Sequence, residues 1–181
     1  DIGDKCNYYS LCISRIDFDK NIEYILQANK LLDDTKKVYL FGAENRLYVH
    51  HKLKDMDFEK YWMGKYPKNL PMKYDNKDLL DNCAFVVDMS IIVGDGGGTQ
   101  YTFLEAIYHG CALILHKDWV EKGNVFKNGV NCFVVGYTDN IGEEINKIIS
   151  KGIDGEYKKI VKNASKLLKI HTKGLWKGIF S

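Results

Sequence analysis

The feature that most constrains this chain is an alternation: short, nearly unbroken apolar runs are separated by stretches with helical spacing. Tyr8 to Ile13 is one such run, and Val38-Tyr39-Leu40-Phe41, Ala112-Leu113-Ile114-Leu115 and Cys132-Phe133-Val134-Val135 are others. Runs that do not alternate polar with apolar read as strands covered on both faces. Between them, Ile22, Ile25, Leu26 and Leu32 share a helical face, and residues 139 to 150 and 154 to 170 read as two amphipathic helices. Strand after helix after strand, with right-handed crossovers, predicts an α/β fold: a doubly wound parallel sheet with helices on both faces. The 181 residues form one domain on this reading, 1–181.

Several classes fall away. With 45% hydrophobic and 28% charged residues the chain is not a disordered segment, and no apolar run approaches the ~18 residues of a spanning helix. The net charge of +2, from 26 basic and 24 acidic residues, gives no pull towards nucleic acid. Five cysteines, without a C-x-x-C pair, argue against both a disulfide scaffold and a zinc site, so reduced, mostly buried thiols are expected. His50 and His51 are neighbours that would point apart on a strand, His109 and His116 lie near apolar segments without a carboxylate at ligand spacing, and metal is expected to be absent. Asp1 is followed almost at once by a strand-like segment, so the chain is expected to be a cytoplasmic portion of something longer.

Further elements can be placed. A helix is expected over residues 45 to 54, a third short strand at Tyr61-Trp62-Met63, and a helix over residues 76 to 82. The next strand covers residues 84 to 87, 90 to 93 or both. Thr99 is the expected N-cap of a helix that stops at Gly110, where a left-handed C-cap residue is favourable. Ligands of such sheets bind beyond the carboxyl ends of the strands. The segments after each strand are therefore the ones to inspect.

Three features there could carry chemistry. Gly94-Asp95-Gly96-Gly97-Gly98 precedes a helix, so its backbone can approach an anion while the helix terminus offers N–H groups. It is neither a P-loop nor G-x-G-x-x-G, and a tightly turned loop without ligand is the alternative. Arg15 and Lys20 form R-x4-K after the first strand, on the same rim, where two cations could neutralise a diphosphate or could be ordinary loop charges. Glu105, about two turns into the helix, could accept hydrogen bonds from a ribose diol or could simply face solvent. Lys159, Lys162, Lys166, Lys169 and Lys173 line one face of the last helix: a solvated face, or a peripheral membrane contact through residues 158–173.

Taken together, these residues resemble the C-terminal, donor-binding domain of retaining GT-B glycosyltransferases, glycosyl transferases group 1, which include glycogen-synthase-like and mannosyltransferase-like enzymes. Ile13 to Lys20 repeats the family's opening strand with its arginine and, five positions on, its lysine. Phe41-Gly42-Ala43-Glu44-Asn45 matches a Gly-rich strand end, and Trp62-Met63-Gly64-Lys65-Tyr66 matches the apolar-x-Gly before the nucleobase-binding loop. Leu104 to Ile114 follows the second half of the E-x7-E stretch, and Asn128 to Val135 follows the segment after it.

The resemblance implies the Rossmann-like half of a GT-B fold. It implies that Arg15 and Lys20 are catalytic, clamping the diphosphate of a UDP- or GDP-sugar. Glu105 then binds the ribose, Gly98, Thr99 and Gln100 contact phosphate and sugar, and Gly42 and Tyr66 belong to the donor site. No cofactor or metal is implied, the nucleotide diphosphate-sugar being a substrate. Gly97 stands where the family has its first glutamate, with Asp95 the obvious carboxylate to cover that role. The family's N-terminal acceptor domain is missing from 181 residues, so the isolated domain is expected to bind donor without transferring the hexosyl group. A sugar-nucleotide epimerase-like domain and a degenerate, non-catalytic nucleotide-sugar binding module are the alternatives.

Overall fold

A computed structural model describes residues 8–65, 79–92, 98–123 and 125–172, with the backbone alone described at 98–100 and 170–172. The chain order is β1 (Ser10–Ile13), a 3-10 turn (Phe18–Lys20), α1 (Ile22–Leu31), a second 3-10 turn (Asp34–Lys36) and β2 (Val38–Phe41). Then follow α2 (Arg46–Lys52), α3 (Phe58–Tyr61), β3 (Phe85–Asp88), α4 (Gly98–Tyr108) and β4 (Ala112–His116). The remainder is α5 (Lys117–Val120), β5 (Phe133–Val135), α6 (Ile141–Lys151) and α7 (Gly155–Thr172). Among the described residues the sheet runs β2-β1-β3-β4-β5, with every pair parallel.

Each strand feeds two cores, which is why its sequence is apolar throughout. Cys12, Val38, Leu40, Phe85, Val87, Ile114 and Val135 point to one face, where α1 and α6 lie. Leu11, Ile13, Phe41, Val86, Leu113, Leu115 and Val134 point to the other, against Phe103, Ala106 and Ile107 of α4. On the first face α1 and α6 approach closely because Gly142 has no side chain: a Cβ there would lie 2.6 Å from the Cβ of Gln27. At the outer edge, α7 contributes Tyr157 to the first core and Ala164 and Leu167 to the second. Its Lys158, Lys159, Lys162, Lys166 and Lys169 are exposed, and Lys173 lies outside the described residues.

Three sequence expectations are settled by the structure, the first and third as corrections. Residues 61–63 are not a strand: Tyr61 ends the α3 turn, and Trp62 forms only an isolated bridge to Leu40. The Trp62 ring stacks on Phe58 at 5.5 Å, a helical i,i+4 pairing, and its indole N–H donates to the Gly42 carbonyl. The segment still follows the outer side of β2, through Met63 N–H to the Leu40 carbonyl and Gly42 N–H to the Gly64 carbonyl. Secondly, of the placements left open for the strand after residue 84, the first is the one seen: β3 stops at Asp88, and residues 89–92 are not strand. Thirdly, α4 begins at Gly98, so Thr99 lies in its first turn rather than at its cap. Of the helix expected over 76–82, residues 79 and 80 are helical, while 76–78 lie outside the described residues.

The far end of α4 behaves as read. Gly110 has φ +80°, Cys111 N–H donates to the Ala106 carbonyl and Gly110 N–H to the Ile107 carbonyl. That pair of bonds is a Schellman ending, which turns the chain straight into β4.

Candidate functional site

The chain winds outwards from β1 to β2, then returns to place β3 on the other side of β1. Between β1 and β3 the winding reverses, and the loops leaving their carboxyl ends part to form a crevice. One wall is residues 14–21. The other begins at Met89 and leads to α4. Because α4 ends beside the start of the parallel strand β4, its first turn lies at the carboxyl end of the sheet, on this same rim.

Asp17 starts the first wall by accepting a hydrogen bond from Phe18 N–H at 2.8 Å, which initiates the 3-10 turn. That turn sends Lys20 inwards and leaves Arg15 outside. Lys20 is 4% exposed, whereas Arg15 is 59% exposed. Both cations face one carboxylate: Asp19 Oδ2 lies 3.6 Å from Lys20 Nζ and 3.9 Å from an Arg15 nitrogen, and Arg15 is also 3.9 Å from Asp17. The R-x4-K spacing thus brings two positive groups to one carboxylate, that of Asp19.

The second wall meets Lys20 directly. Its ammonium donates to Ser90 Oγ at 3.2 Å, and the next residue, Asn21, donates from its side-chain amide to the Met89 carbonyl at 3.0 Å. Asn21 can do so because its φ is +49°, in the left-handed region that asparagine tolerates. Asp88, 2% exposed at the end of β3, accepts from Ser90 N–H at 2.8 Å. Below these groups lies Cys12, whose thiol is pushed up to about 12, chiefly by burial and then by the Asp88 charge. Lys20 acts on it in the opposite sense, as does a contact with Ser14.

Gly42 fits the first wall from behind. A Cβ there would stand 1.6 Å from the Ser14 carbonyl oxygen, so the absence of a side chain lets the end of β2 pass under the Arg15 loop. Its place is beneath the wall. Glu105 is half-buried on α4. Residues 98–100 form the first turn of α4, where N–H groups are available to an anion. Tyr66, Asp95 and Gly97 lie outside the described residues. Among the described residues no group of three or more His, Cys, Asp or Glu side chains is placed to hold a metal ion.

Asp88 and Ser90 are the site residues that sequence reasoning missed. Their signal was faint: two polar residues interrupting an apolar run from 84 to 93. Cys12, Cys83, Cys111 and Cys132 are buried free thiols, while Cys6 lies outside the described residues. A separate groove of about 300 Å³ lies at the amino end of β5, lined by Phe133, Ile148, Lys147, Lys151 and Glu156.

The strand order defines a doubly wound, Rossmann-like α/β domain with a switch point between β1 and β3, the place where ligands of such sheets bind. Its fold is that of the C-terminal domain of GT-B glycosyltransferases. HepE of Anabaena, solved in complex with UDP and glucose, superposes with a TM-score of 0.66 at 18% identity, over 94% of this chain and 48% of that one. The C-terminal domain of the glycosyl transferase group 1 family protein LpcC from Francisella tularensis gives 0.63 at 18% identity, over 94% and 89%. TarM, from S. aureus, gives 0.65 at 16% identity, over 97% and 35%. The chain thus spans about half the length of HepE and nearly all of the LpcC domain. No family model and no curated protein matches the sequence.

Proposed function

We propose that this chain is the donor-binding half of a retaining, metal-independent glycosyltransferase that takes a hexosyl group from a UDP- or GDP-sugar. The observation that carries the reading is that a buried Lys20 and a rim Arg15 share one carboxylate, that of Asp19, at the switch point of the sheet. Solved relatives of the same fold support it, HepE having been crystallised with UDP-glucose.

When the bond between the sugar and its phosphate breaks, negative charge grows on the departing diphosphate. The buried Lys20 and the N–H groups of the first α4 turn stand in place beforehand, with Arg15 on the rim beside them, the kind of arrangement that gives preorganised electrostatics its large effect. Two side-chain cations and a helix dipole supply the positive charge, so the proposed reaction calls for no divalent ion. Glu105 holds the ribose hydroxyls. Transfer requires an acceptor-binding domain to close the cleft from the other side.

Calorimetry with UDP and GDP, each beside its nucleoside, tests the reading. Arg15→Ala removes a charge-assisted contact worth about 1.5 to 3 kcal/mol, so diphosphate affinity falls by roughly ten- to a hundredfold. Nucleoside affinity stays within about twofold. Equal diphosphate affinity in mutant and parent refutes the clamp.

A further inference from the structure

We propose that Ser90 is a positioning residue for Lys20 and that Asp88 anchors Ser90, so that the end of β3 sets where the buried cation meets an anion. The proposal rests on the donor-binding reading for its ligand, but its geometry stands independently. A lysine side chain has four rotatable bonds, and immobilising it carries a large entropic cost. A buried ammonium is also costly unless paired and hydrogen-bonded.

Lys20 is relieved of both costs from the opposite wall. Ser90 Oγ accepts from Nζ at 3.2 Å, inside the core rather than in solvent. Ser90 cannot drift, because its own N–H is held by the carboxylate of Asp88 two residues earlier, a local turn bond of the kind aspartate favours. A second tie runs parallel: Asn21 binds the Met89 carbonyl. Two adjacent residues of one loop are thereby fastened to two adjacent residues of the other. Asp19 on the Lys20 loop lies beside the ammonium, and the Cys12 thiol on β1 feels both Lys20 and Asp88.

This arrangement places the cation before any ligand arrives, and preorganisation of that kind raises affinity by lowering the ordering cost of binding. Ser90→Ala keeps the backbone and removes this acceptor from the opposite wall, so the ammonium is held less closely, with Asp19 still beside it.

The test uses the 181-residue chain in two measurements. The first needs no ligand: the nitrogen-15 NMR signal of the Lys20 ammonium, sheltered from solvent exchange in the parent, broadens in Ser90→Ala and returns in Ser90→Thr. The second is calorimetry, in which Ser90→Ala weakens UDP or GDP binding by about five- to tenfold, consistent with one hydrogen bond. Nucleoside binding is unchanged, and Ser90→Thr restores the diphosphate affinity. Asp88→Ala gives a loss of its own, and in the double variant the losses do not add, since one residue acts through the other. An unchanged ammonium signal in Ser90→Ala overturns the positioning role, and additive losses overturn the anchor. If the parent binds neither nucleotide while the ammonium signal behaves as stated, the donor reading fails and the positioning of Lys20 stands.

Discussion

At the residue scale, the candidate wall depends on a side chain that is not there. The Gly42 position would put a Cβ 1.6 Å from backbone oxygen of Ser14, and backbone on both sides cannot yield as a flexible side chain could. Gly42→Ala therefore lowers stability by at least about 2 kcal/mol, seen as a fall in the urea midpoint. A midpoint equal to that of the parent would show that the Arg15 loop moves aside freely. Arg15 and Lys20 were legible in the sequence because their spacing follows a strand that declares itself. Asp88 and Ser90 were not, since a polar residue at a strand end carries no mark of burial. Only the placement of β1 beside β3 encloses them.

At the element scale, α4 is held from its flank. Phe103 packs edge-on against Trp119 at 5.1 Å and against Phe126 at 5.8 Å, so the short α5 and the loop after it support the helix that carries Glu105. The N-cap of α5 is His116, whose Nδ1 accepts from Asp118 N–H at 3.1 Å, a bond open only to the unprotonated nitrogen. Burial holds this imidazole below its ordinary value of 6.5, against Asp118, Glu144 and Glu121, which pull upwards, and with Lys117, which also lowers it; Tyr24 stacks on the ring. A lowered folded value means that the unfolded chain binds the proton first. Stability from this site is then present at neutral pH and lost as pH falls below about 6.5. His116→Asn keeps a capping oxygen without the titration, so denaturation midpoints between pH 7 and 5 fall less steeply than in the parent. Parallel curves contradict the assignment. The elements themselves were largely readable: β2 and the Gly110 ending lie where the pattern put them. The strand expected at residues 61–63 failed because Trp62, a residue at home in strands, pairs with Phe58 at helical spacing instead.

At the scale of the whole molecule, unbroken apolar strands predicted a sheet buried on both faces, and the two cores show why. The order of the strands was not written in any one of them. It follows from which helix covers which face, as where Gly142 admits α6 against α1. That order places a switch point between β1 and β3, and the central claim is that a diphosphate lodges there, between the Arg15 and Lys20 loop and the first turn of α4. A crystal structure of this chain grown with UDP or GDP tests the claim most directly. The account predicts the diphosphate within hydrogen-bonding distance of Lys20 Nζ and of backbone N–H groups at residues 98–100. A nucleotide seated instead in the groove at the amino end of β5, between Phe133 and Lys151, would contradict it.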